Sequence, residues 1–420
     1  MKIYISGITG TGMGPLALMA KAAGLEVCGS DLGKGAIYDE LLNAGIEVYI
    51  GEQDGKILEK KIDDLDWFVF TSALPETHAE LMMARKAGVR CTKRDDLTAY
   101  LVDELNLKMV AVAGTHGKTT TTAMIIWTAL KLDLPVSYIV GTTLGFATSG
   151  SYHEGDKYFI YEADEYDRNF LKYHPWLSVI PAVSYDHPDI YHTPEEYFTA
   201  FAQFREQSER VVERLPSENR WAGVRDEIVQ KIDDVELAGV ARRVDAMLAA
   251  EAILTISEDI GRDDVDINRV LNILNDFPGV GRRFERLSDG IYSDYAHHPE
   301  EIEATIDVAN DEAKRIKAKG VVVIYQPHQN VRQHEVRQGY AKAFDGADKV
   351  LWLPTYLTRE DPNLPILTPN ELSHGIANVE IVELSDKLYE RIKELRNENY
   401  LVVLMTAGPA DTWLREKVGV

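Results

Sequence analysis

Gly114-Thr-His-Gly-Lys-Thr-Thr120 lies between a short apolar run, Met109–Ala113, and a helix-like segment that continues through Leu130. The apolar run predicts a buried strand, so the glycine-rich stretch is the turn that joins a strand to a helix. Glycines let the backbone wrap closely around phosphate, and the free N–H groups at the start of a helix bind anions. Lys118 would bring positive charge to the β- and γ-phosphates, and Thr119 would offer a hydroxyl to Mg²⁺. The stretch therefore predicts an ATP-binding loop in an α/β protein.

One position departs from the general P-loop pattern, which places a glycine where this chain has Val112. The strand–loop–helix context is the one that phosphate binding needs, so a purely structural turn is the less favoured interpretation. The residues predicted to bind ATP in this loop are Gly114, Thr115, His116, Gly117, Lys118, Thr119 and Thr120.

Acidic and histidine side chains follow two further strand-like runs. Glu162-Ala-Asp-Glu-Tyr-Asp167 comes directly after Tyr158–Tyr161, and Asp186-His187 follows Leu177–Val183. The carboxyl ends of parallel strands meet at one edge of a sheet, and carboxylates there suit a hard cation that bridges nucleotide phosphates. The predicted Mg²⁺ ligands are Thr119, Glu162, Glu165 and His187, with the choice between the two glutamates left open.

A third group lies near the middle of the C-terminal half, in Gly281-Arg-Arg-Phe-Glu285 and Tyr292-Ser-Asp-Tyr-Ala-His-His-Pro299. Arginine binds developing phosphoryl charge in a fork geometry, which makes Arg283 a candidate. Asp294 ends a predicted strand, where it could hold a ribose or a cation-bound water. Histidine pairs are often zinc ligands, but no third ligand follows at helical spacing, so a catalytic zinc ion is disfavoured.

The N-terminal stretch Gly7-Ile-Thr-Gly-Thr-Gly12 also lies after a strand-like run, Lys2–Ser6, and before a predicted helix, Pro15–Ala23. Asp31 ends the next strand, as in dinucleotide-binding domains. The spacing G-x-x-G-x-G differs from G-x-G-x-x-G, so a redox cofactor is only weakly indicated. The diphosphate of a nucleotide sugar would use the same backbone contacts without hydride chemistry.

Alternating strand-like and helix-like runs along 420 residues predict an α/β protein with right-handed crossovers. Three domains are expected, at residues 1–107, 108–278 and 279–420, with a Pro/Gly-rich linker at Asp276-Phe-Pro-Gly-Val-Gly281. The stretch Asn219–Val265 is polar and predicted to be helical, with little strand signal.

Composition excludes several classes of protein. No run of about 20 apolar residues occurs, so no membrane-spanning helix is predicted. A net charge of −23 disfavours broad nucleic-acid binding, because phosphate backbones repel such a surface. Two cysteines give no disulfide framework, and the N-terminus lacks the pattern of a signal peptide, so we expect a cytoplasmic protein.

Together these stretches resemble the Mur ligases of peptidoglycan assembly, and the resemblance covers nearly the whole chain. The matching stretches are Gly7–Gly12, Gly114–Thr120, Glu162–Asp167, Asp186-His187, Arg283-Phe284 and Asp294–Pro299. The resemblance implies a Rossmann-like N-terminal domain that binds UDP, a central P-loop ATPase domain with a mostly parallel sheet, and a Rossmann-like C-terminal α/β domain that binds the amino acid.

Within the family, the motifs resemble the branch that acts on UDP-N-acetylmuramate. One member of that branch adds L-alanine, and the other attaches a recycled tripeptide, L-alanyl-γ-D-glutamyl-meso-diaminopimelate, to the same carboxylate. Tyr325-Gln-Pro-His328 followed by Arg332, and Tyr356-Leu-Thr-Arg-Glu360, resemble the alanine-adding enzyme. Gln329-Asn330, the stretch Glu165–Asp167 and the stretch Asp186–Ile190 are more similar to the tripeptide ligase. Alanine is favoured, and the tripeptide stays the alternative.

Some positions depart from the family pattern. The family carries an Asn-x-x-Asn pair at the adenine pocket, where this chain has Arg242 and Asp245, so its nucleotide preference is open. Ser293 replaces an acidic residue before Asp294, and the central domain is shorter than usual around Glu209–Gly239. A nucleotide-binding regulatory protein with a decayed site is therefore a lower alternative, as is a folyl or other glutamate-adding ligase.

The resemblance implies that the lactyl carboxylate is phosphorylated by ATP and then attacked by the amine. Lys118, His187, Arg283 and Asp294 are the catalytic candidates, and Asp245, Arg283 and Asp294 join the ATP-binding set. The sugar nucleotide is expected at Gly10, Thr11, Gly12, Ser30 and Asp31, and the amino acid at His297, His298, His328 and Arg332. Hinge closure is expected to assemble the three parts, in a monomer or a homodimer.

Overall fold

The computed structural model describes residues 1–71, 74–187, 190–215, 220–237, 239–358 and 360–420. These residues form three β-sheets with helices between their strands. The chain divides into two compact units, Met1–Val235 with Val244–Pro278, and Glu236–Arg243 with Gly279–Val420. The first unit contains the first two sheets, and the second unit contains the third.

The first sheet has the strand order β3-β2-β1-β4-β5, and every pair is parallel. Its strands are β1 (Lys2–Ser6), β2 (Glu26–Asp31), β3 (Glu47–Ile50), β4 (Trp67–Phe70) and β5 (Arg90–Lys93). Its helices are α1 (Met13–Ala22), α2 (Tyr38–Asn43), α3 (Lys56–Glu59), α4 (Ala79–Lys86) and α5 (Arg94–Glu104), with a 3₁₀ turn at Ile62–Asp64. The strand order reverses between β1 and β4, and the carboxyl ends of strands at such a switch point are where parallel α/β sheets generally bind ligands.

The second sheet has the order β12-β11-β10-β6-β9-β7-β8, with antiparallel pairs only at its two edges among the described strands. Its strands are β6 (Lys108–Val112), β7 (Val136–Ile139), β8 (Gly150–Ser151), β9 (Tyr158–Glu162), β10 (Leu177–Ile180), β11 (Val211–Leu215) and β12 (Arg220–Ala222). Its helices are α6 (Lys118–Lys131), α7 (Pro194–Glu206), α8 (Asp226–Val229), α9 (Val240–Asp259) and α10 (Ile267–Asn275), with 3₁₀ segments at Tyr166–Lys172 and Ile232–Asp234. Because β6 lies between β9 and β10, the segments that follow these three strands meet at one edge.

The third sheet has the order β13-β14-β18-β15-β16-β17, and only β13 and β14 pair in antiparallel fashion among its described strands. Its strands are β13 (Glu285–Ser288), β14 (Ile291–Asp294), β15 (Gly320–Gln326), β16 (Lys349–Trp352), β17 (Val379–Ile381) and β18 (Tyr400–Thr406). Its helices are α11 (Pro299–Arg315), α12 (Asn330–Val336), α13 (Tyr340–Ala343), α14 (Pro369–Leu372), α15 (Asp386–Asn397) and α16 (Ala410–Val418), with a 3₁₀ turn at Arg337–Gly339.

The cores explain why these runs become strands. Every residue of β18 is buried, and residues of β15 and β18 face two separate apolar clusters, one on each side of the third sheet. Strands covered on both faces need continuous apolar sequence rather than alternation. In the first unit, one apolar cluster extends from Ile3 to Phe204 and includes residues of both sheets.

The predicted α/β class is confirmed, and the strongly apolar predicted strands lie where the sequence places them. The strand predicted at Leu177–Val183 is shorter, since β10 ends at Ile180 and is followed by Pro181, which has no N–H to donate. The stretch predicted to be helical, Asn219–Val265, contains α9 but begins with the edge strand β12. The boundaries of the three domains stay a prediction.

Candidate functional site

The predicted phosphate loop connects β6 to α6 through two glycines with left-handed or extended positive φ. Gly114 has φ 149° and Gly117 has φ 84°. A β-carbon at Gly114 would lie 2.7 Å from the carbonyl oxygen of Ala182, and the N–H of Thr115 donates to that same oxygen over 2.9 Å. The loop is therefore held against the segment that follows β10, and glycine is required where the two backbones approach.

Lys118, the first residue of α6, is paired with a buried carboxylate. Its Nζ lies 2.8 Å and 3.0 Å from the two carboxylate oxygens of Glu165, and it also donates to the carbonyl of Gly114. Only 16% of the Lys118 side chain and 1% of the Glu165 side chain are exposed. Burial lowers the pKa of Lys118, but the carboxylates of Glu165, Asp164 and Glu162 together outweigh it, and the pKa of Lys118 is raised. The lysine therefore keeps its positive charge inside the site.

Glu165 also faces His187, whose Nε2 is 3.4 Å from a carboxylate oxygen of Glu165. Burial would raise the pKa of Glu165, but Lys118 and His187 together lower it. The hydroxyl of Tyr191 donates to the backbone carbonyl of Glu165 over 2.7 Å and fixes this segment. The ends of β9 and β10 thus bring the two predicted metal ligands Glu165 and His187 together.

Thr119 and Glu162 form a second contact at the same sheet edge. The Thr119 hydroxyl donates to Oε1 of Glu162 over 2.7 Å, and the N–H of Gly141 donates to Oε2 over 3.2 Å. Glu162 ends β9, so a hydroxyl of the phosphate loop and a strand-end carboxylate lie side by side.

The donor set fits a magnesium ion that shares its ligands with phosphate. Among the described residues, no group of three or more histidine, cysteine, aspartate or glutamate side chains is arranged to hold a metal by itself. Mg²⁺ in nucleotide sites takes one or two carboxylates together with phosphate oxygens and waters. Thr119 and Glu162 offer such a partial set, and Glu165 and His187 offer another.

Asp245 lies at this loop, although sequence reasoning placed it in the adenine pocket only by resemblance. A β-carbon at Gly117 would be 2.6 Å from Oδ1 of Asp245, and Asp245 is 6% exposed. Asp245 belongs to α9, as does Arg242 one turn earlier. A buried carboxylate therefore contacts the residue that caps α6.

The N-terminal glycine loop is braced by Asp31. Oδ2 of Asp31 accepts hydrogen bonds from the N–H of Thr9 over 2.9 Å and from its hydroxyl over 2.7 Å. Gly7 has φ 83°, and the predicted contact residues Gly10 and Thr11 are exposed. Asp31 therefore holds the shape of the loop, and the loop residues Gly10 and Thr11 stay exposed beyond the end of β1.

Ser30, also predicted to bind the sugar nucleotide, contacts a carboxylate that the sequence analysis missed. Its hydroxyl lies 2.9 Å and 2.8 Å from the two oxygens of Glu80, which also accept from Tyr4 and Ser6. Glu80 is 1% exposed and receives a further long contact from Gln53. An acidic residue in the first turn of a helix usually faces solvent, so no sequence signal distinguished Glu80.

In the second unit, Asp294 organises the turn that carries Arg283. Its carboxylate accepts from the N–H groups of Phe284 and Ala296, each over 2.7 Å. The pKa of Asp294 is raised above its ordinary value, because the effect of burial exceeds the opposing effects of Arg283 and these two N–H groups. The Arg283 guanidinium lies 5.3 Å from the ring centre of Tyr295. Asp294 therefore positions the arginine segment.

Ser293, which replaces an acidic residue of the family pattern, has an acidic partner from elsewhere in the sequence. Its hydroxyl donates to the buried Asp411, which also pairs with Arg415 over 2.9 Å and lies 3.4 Å from Arg282. Asp411 was missed because it lies in α16, far from any motif.

The predicted amino-acid-binding histidines lie beyond the ends of β14 and β15. The rings of His297 and His328 meet edge to face at 6.1 Å, and His328 stacks on Tyr356 at 5.8 Å. Nδ1 of His297 is 3.2 Å from the carboxylate of Glu301, and His298 caps α11. The structure thus brings His297 and His328 together, and His298 directly precedes α11.

Arg332 lies on α12, next to two buried tyrosines. The hydroxyls of Tyr325 and Tyr340 are 2.9 Å apart. Burial raises the pKa of both tyrosines, and the charge of Arg332 opposes that shift.

Asn330 is 1% exposed, and its side-chain amide donates to the Pro365 carbonyl and accepts from Leu367, each within 3.0 Å.

Three residues of the motifs, Pro188, Asp189 and Arg359, lie outside the described residues. Among the described residues, none of the helices has the length and apolar character needed to cross a bilayer.

A charged P-loop lysine beside strand-end carboxylates, on one of three largely parallel sheets, defines a nucleotide-binding α/β protein of three domains. Three family models match the chain in order. They are the catalytic domain of the Mur ligase family at residues 2–104, the Mur ligase middle domain at 112–230, and the glutamate ligase domain of Mur ligases at 282–408. The chain belongs to the Mur ligase family.

Individual proteins agree with this assignment. The chain is 30% identical to the UDP-N-acetylmuramate–L-alanine ligase of Rubrobacter xylanophilus, over 98% of this chain and 96% of that protein. It shares its fold with the UDP-N-acetylmuramate–alanine ligase of Thermotoga maritima, with a TM-score of 0.73 at 23% identity over 100% and 98% of the two chains. A murein peptide ligase from Psychrobacter arcticus gives a TM-score of 0.61 at 20% identity, over 100% and 98%.

Proposed function

We propose that this protein is an ATP-dependent ligase that joins L-alanine to UDP-N-acetylmuramate in peptidoglycan precursor synthesis. The observation that carries the proposal is the pairing of Lys118 with Glu165 beside the Thr119–Glu162 contact. That arrangement provides one cation and two carboxylates at the end of a phosphate loop, which is what phosphoryl transfer to an acid requires. The names of the relatives described above support the choice of substrates.

The chemistry follows from the poor reactivity of a carboxylate. Phosphorylation converts it to an acyl phosphate, and the amine then displaces phosphate through a tetrahedral intermediate. Two anions must first be brought together, so catalysis consists mostly of positioning and charge neutralisation. Lys118 would stabilise the phosphoryl group in transfer, and the loop N–H groups would hold the remaining phosphates.

Mg²⁺, when bound, would neutralise phosphate charge and orient the oxygens that react. Thr119 and Glu162 would hold one ion, and Glu165 and His187 a second. Lys118, whose Nζ faces Glu165, would lie beside the phosphate oxygens that the loop binds.

Residues of the third domain would also take part in the reaction. Arg283 would approach the phosphates, held by the turn that Asp294 organises. Arg332 would bind the carboxylate of the amino acid, and His297 and His328 would lie beside the amine. We further infer a cytoplasmic monomer or homodimer, with domains at residues 1–107, 108–278 and 279–420.

The tripeptide ligase is the alternative, and Asn330 is one of the residues that resemble it. The amide of Asn330 already bonds to Pro365 and Leu367, so it holds a neighbouring segment and has little left to offer a substrate. This weakens one of the arguments for the tripeptide, and L-alanine is preferred.

The test is phosphate release from ATP with UDP-N-acetylmuramate and a panel of amines: L-alanine, glycine, L-serine and the tripeptide. We expect release that needs both the sugar nucleotide and L-alanine, with at least about a tenfold preference in kcat/KM over glycine, since one methyl in a fitted pocket discriminates by that order. Faster turnover with the tripeptide would transfer the assignment to the recycling ligase. Release that does not need the sugar nucleotide would contradict the proposal.

A further inference from the structure

Arg94 is a charged residue that none of the motifs includes. It begins α5, directly after β5, and its guanidinium lies against the N-terminal glycine loop. A β-carbon at Gly12 would collide with Nη1 of Arg94. The cation therefore lies beside the residue that caps α1, at the carboxyl edge of the first sheet.

The two terminal nitrogens of Arg94 are available for a ligand. Its ion pair is a long one, 3.4 Å from Nε to Oδ1 of Asp95, and neither Nη1 nor Nη2 donates a hydrogen bond to a described residue. The side chain is 25% exposed, so solvent and solutes reach it. A guanidinium whose two terminal nitrogens have no acceptor can donate two parallel hydrogen bonds to the oxygens of a phosphate or a carboxylate.

The surroundings of Arg94 favour an anion at the glycine loop. The N–H groups of Met13 and Gly14 both donate to the carbonyl of Gly10, and Pro15 has no N–H. The N–H groups of Thr11 and Gly12 donate to no described residue, so they are the loop donors left for an anion. Gly10 and Thr11 are exposed in this loop. Two backbone N–H donors of the loop and an open guanidinium therefore lie beside the same glycine, which is the arrangement that binds a phosphate oxygen.

Arg94 is also electrostatically linked to the phosphate loop of the second sheet. Tyr161, Asp95 and Asp164 raise the pKa of Arg94, although burial opposes them. Asp164 in turn interacts with Lys118 and precedes Glu165. The guanidinium thus interacts electrostatically with carboxylates on the side of the phosphate loop, while its Nη1 lies beside Gly12.

We propose that Arg94 binds the diphosphate of the sugar nucleotide with its guanidinium fork and thereby determines specificity for a nucleoside diphosphate. This inference rests on the proposed function, and it assigns the cation that the Gly7–Gly12 loop itself does not contain. The lactyl carboxylate is the other oxyanion of the same substrate, but the contact with Gly12 favours the diphosphate.

The experiment measures binding by calorimetry for the wild-type protein, Arg94→Gln, Arg94→Lys and a control, Arg90→Gln. Arg90 is exposed on β5 and stacks over Trp67 at 3.6 Å, so it tests the loss of a nearby arginine away from the loop. The ligands are UDP-N-acetylmuramate, UDP and uridine. Thermal unfolding of each variant is recorded alongside.

We expect Arg94→Gln to weaken the binding of UDP and of UDP-N-acetylmuramate equally, by about ten- to a hundredfold, and to leave the binding of uridine unchanged. The control Arg90→Gln should bind all three ligands like the wild type. Arg94→Lys should recover part of the loss, because it keeps the charge but not the fork. In turnover, KM for the sugar nucleotide should rise more than kcat falls.

Other results would overturn the inference. Equal loss of uridine and UDP binding would indicate a purely structural residue, and loss confined to UDP-N-acetylmuramate would place Arg94 at the carboxylate. Unchanged UDP binding in a folded Arg94→Gln variant would refute any contact. If the wild-type protein binds neither UDP nor UDP-N-acetylmuramate, the proposed function fails first, and the inference fails with it.

Discussion

The two glycine-rich loops of the first unit begin alike and are completed differently. Both follow a buried parallel strand, and both end in a glycine that caps a helix, Gly12 for α1 and Gly117 for α6. The side chain that contacts the capping glycine has opposite charge in the two loops, since Arg94 lies against Gly12 and Asp245 against Gly117. The Gly114–Thr119 loop carries its own lysine, whereas the Gly7–Gly12 loop carries no charged residue.

The two loops differ in where their charged residues come from: the loop sequence itself or distant parts of the chain. A loop with its own cation can be recognised from a few consecutive residues. A loop whose charged groups come from β2 and α5 depends on the fold to bring Asp31 and Arg94 to it. If the two loops are separate sites, removal of a side chain at one loop should change binding or catalysis at that loop and leave the other loop unaffected.

Lys118→Ala should have the largest effect. Loss of the one loop lysine removes the charge that stabilises phosphoryl transfer, and we expect kcat to fall by at least about 10²- to 10³-fold. UDP binding by calorimetry should stay unchanged, because the other loop holds that ligand.

The control is Lys131→Ala, which removes an exposed lysine at the far end of the same helix, where it lies 4.5 Å from the ring centre of Trp127. That variant should keep its activity. Near-normal turnover in Lys118→Ala would contradict the role of the P-loop lysine.

Glu162→Gln should have the next largest effect, and it should be specific for the metal. The amide keeps the shape of the side chain but is a poor ligand for a hard cation, so half-maximal activity should need about 10- to 100-fold more Mg²⁺. Titration of activity with Mg²⁺ at fixed ATP measures the shift. Thr119→Val should shift it in the same direction, since its hydroxyl contacts Glu162. An unchanged Mg²⁺ requirement in both variants would exclude this pair from the metal site.

Asp31→Ala should loosen only the N-terminal loop. Removal of its carboxylate leaves the N–H and the hydroxyl of Thr9 without their acceptor, which should lower the opening free energy of the Thr9 amide by about 1–2 kcal/mol in native-state hydrogen exchange. Asp39→Ala, at an exposed position of α2, is the matched control and should change little. Equal protection of the Thr9 amide in the wild type and Asp31→Ala would show that other contacts hold the loop.

The same contrast explains how much of the fold the sequence could predict. The inner strands β1, β6 and β9 are largely apolar runs, and they were predicted. The edge strands β3 and β5 were not. β5 is Arg-Cys-Thr-Lys, a polar segment that is extended because it pairs with β4. Pairing with a neighbour is a tertiary effect, and no local pattern reveals it.

The candidate sites divide along the same line. Lys118, Glu162 and Glu165 were predictable because each lies in or directly after a short motif at a strand end. Glu80 and Arg94 were not, since each begins or lies in an ordinary helix whose polar residues normally face solvent. Only the sheet order, which brings the carboxyl ends of strands together, gives these two residues a role at a loop.

Asp245→Asn should have the smallest effect and is the closest test of the charge contrast between the loops. The carboxylate of Asp245 lies at the capping glycine of the phosphate loop, where it repels a triphosphate, and an amide of the same shape would remove that repulsion. We expect KM for ATP to fall about two- to tenfold with little change in kcat, because one unit charge near a partly exposed phosphate contributes about 1 kcal/mol. Asp263→Asn, at an exposed position, should leave KM unchanged. A higher KM for ATP in Asp245→Asn would mean that the carboxylate binds the base as an acceptor, and the two loops would then differ in what they recognise and not only in charge.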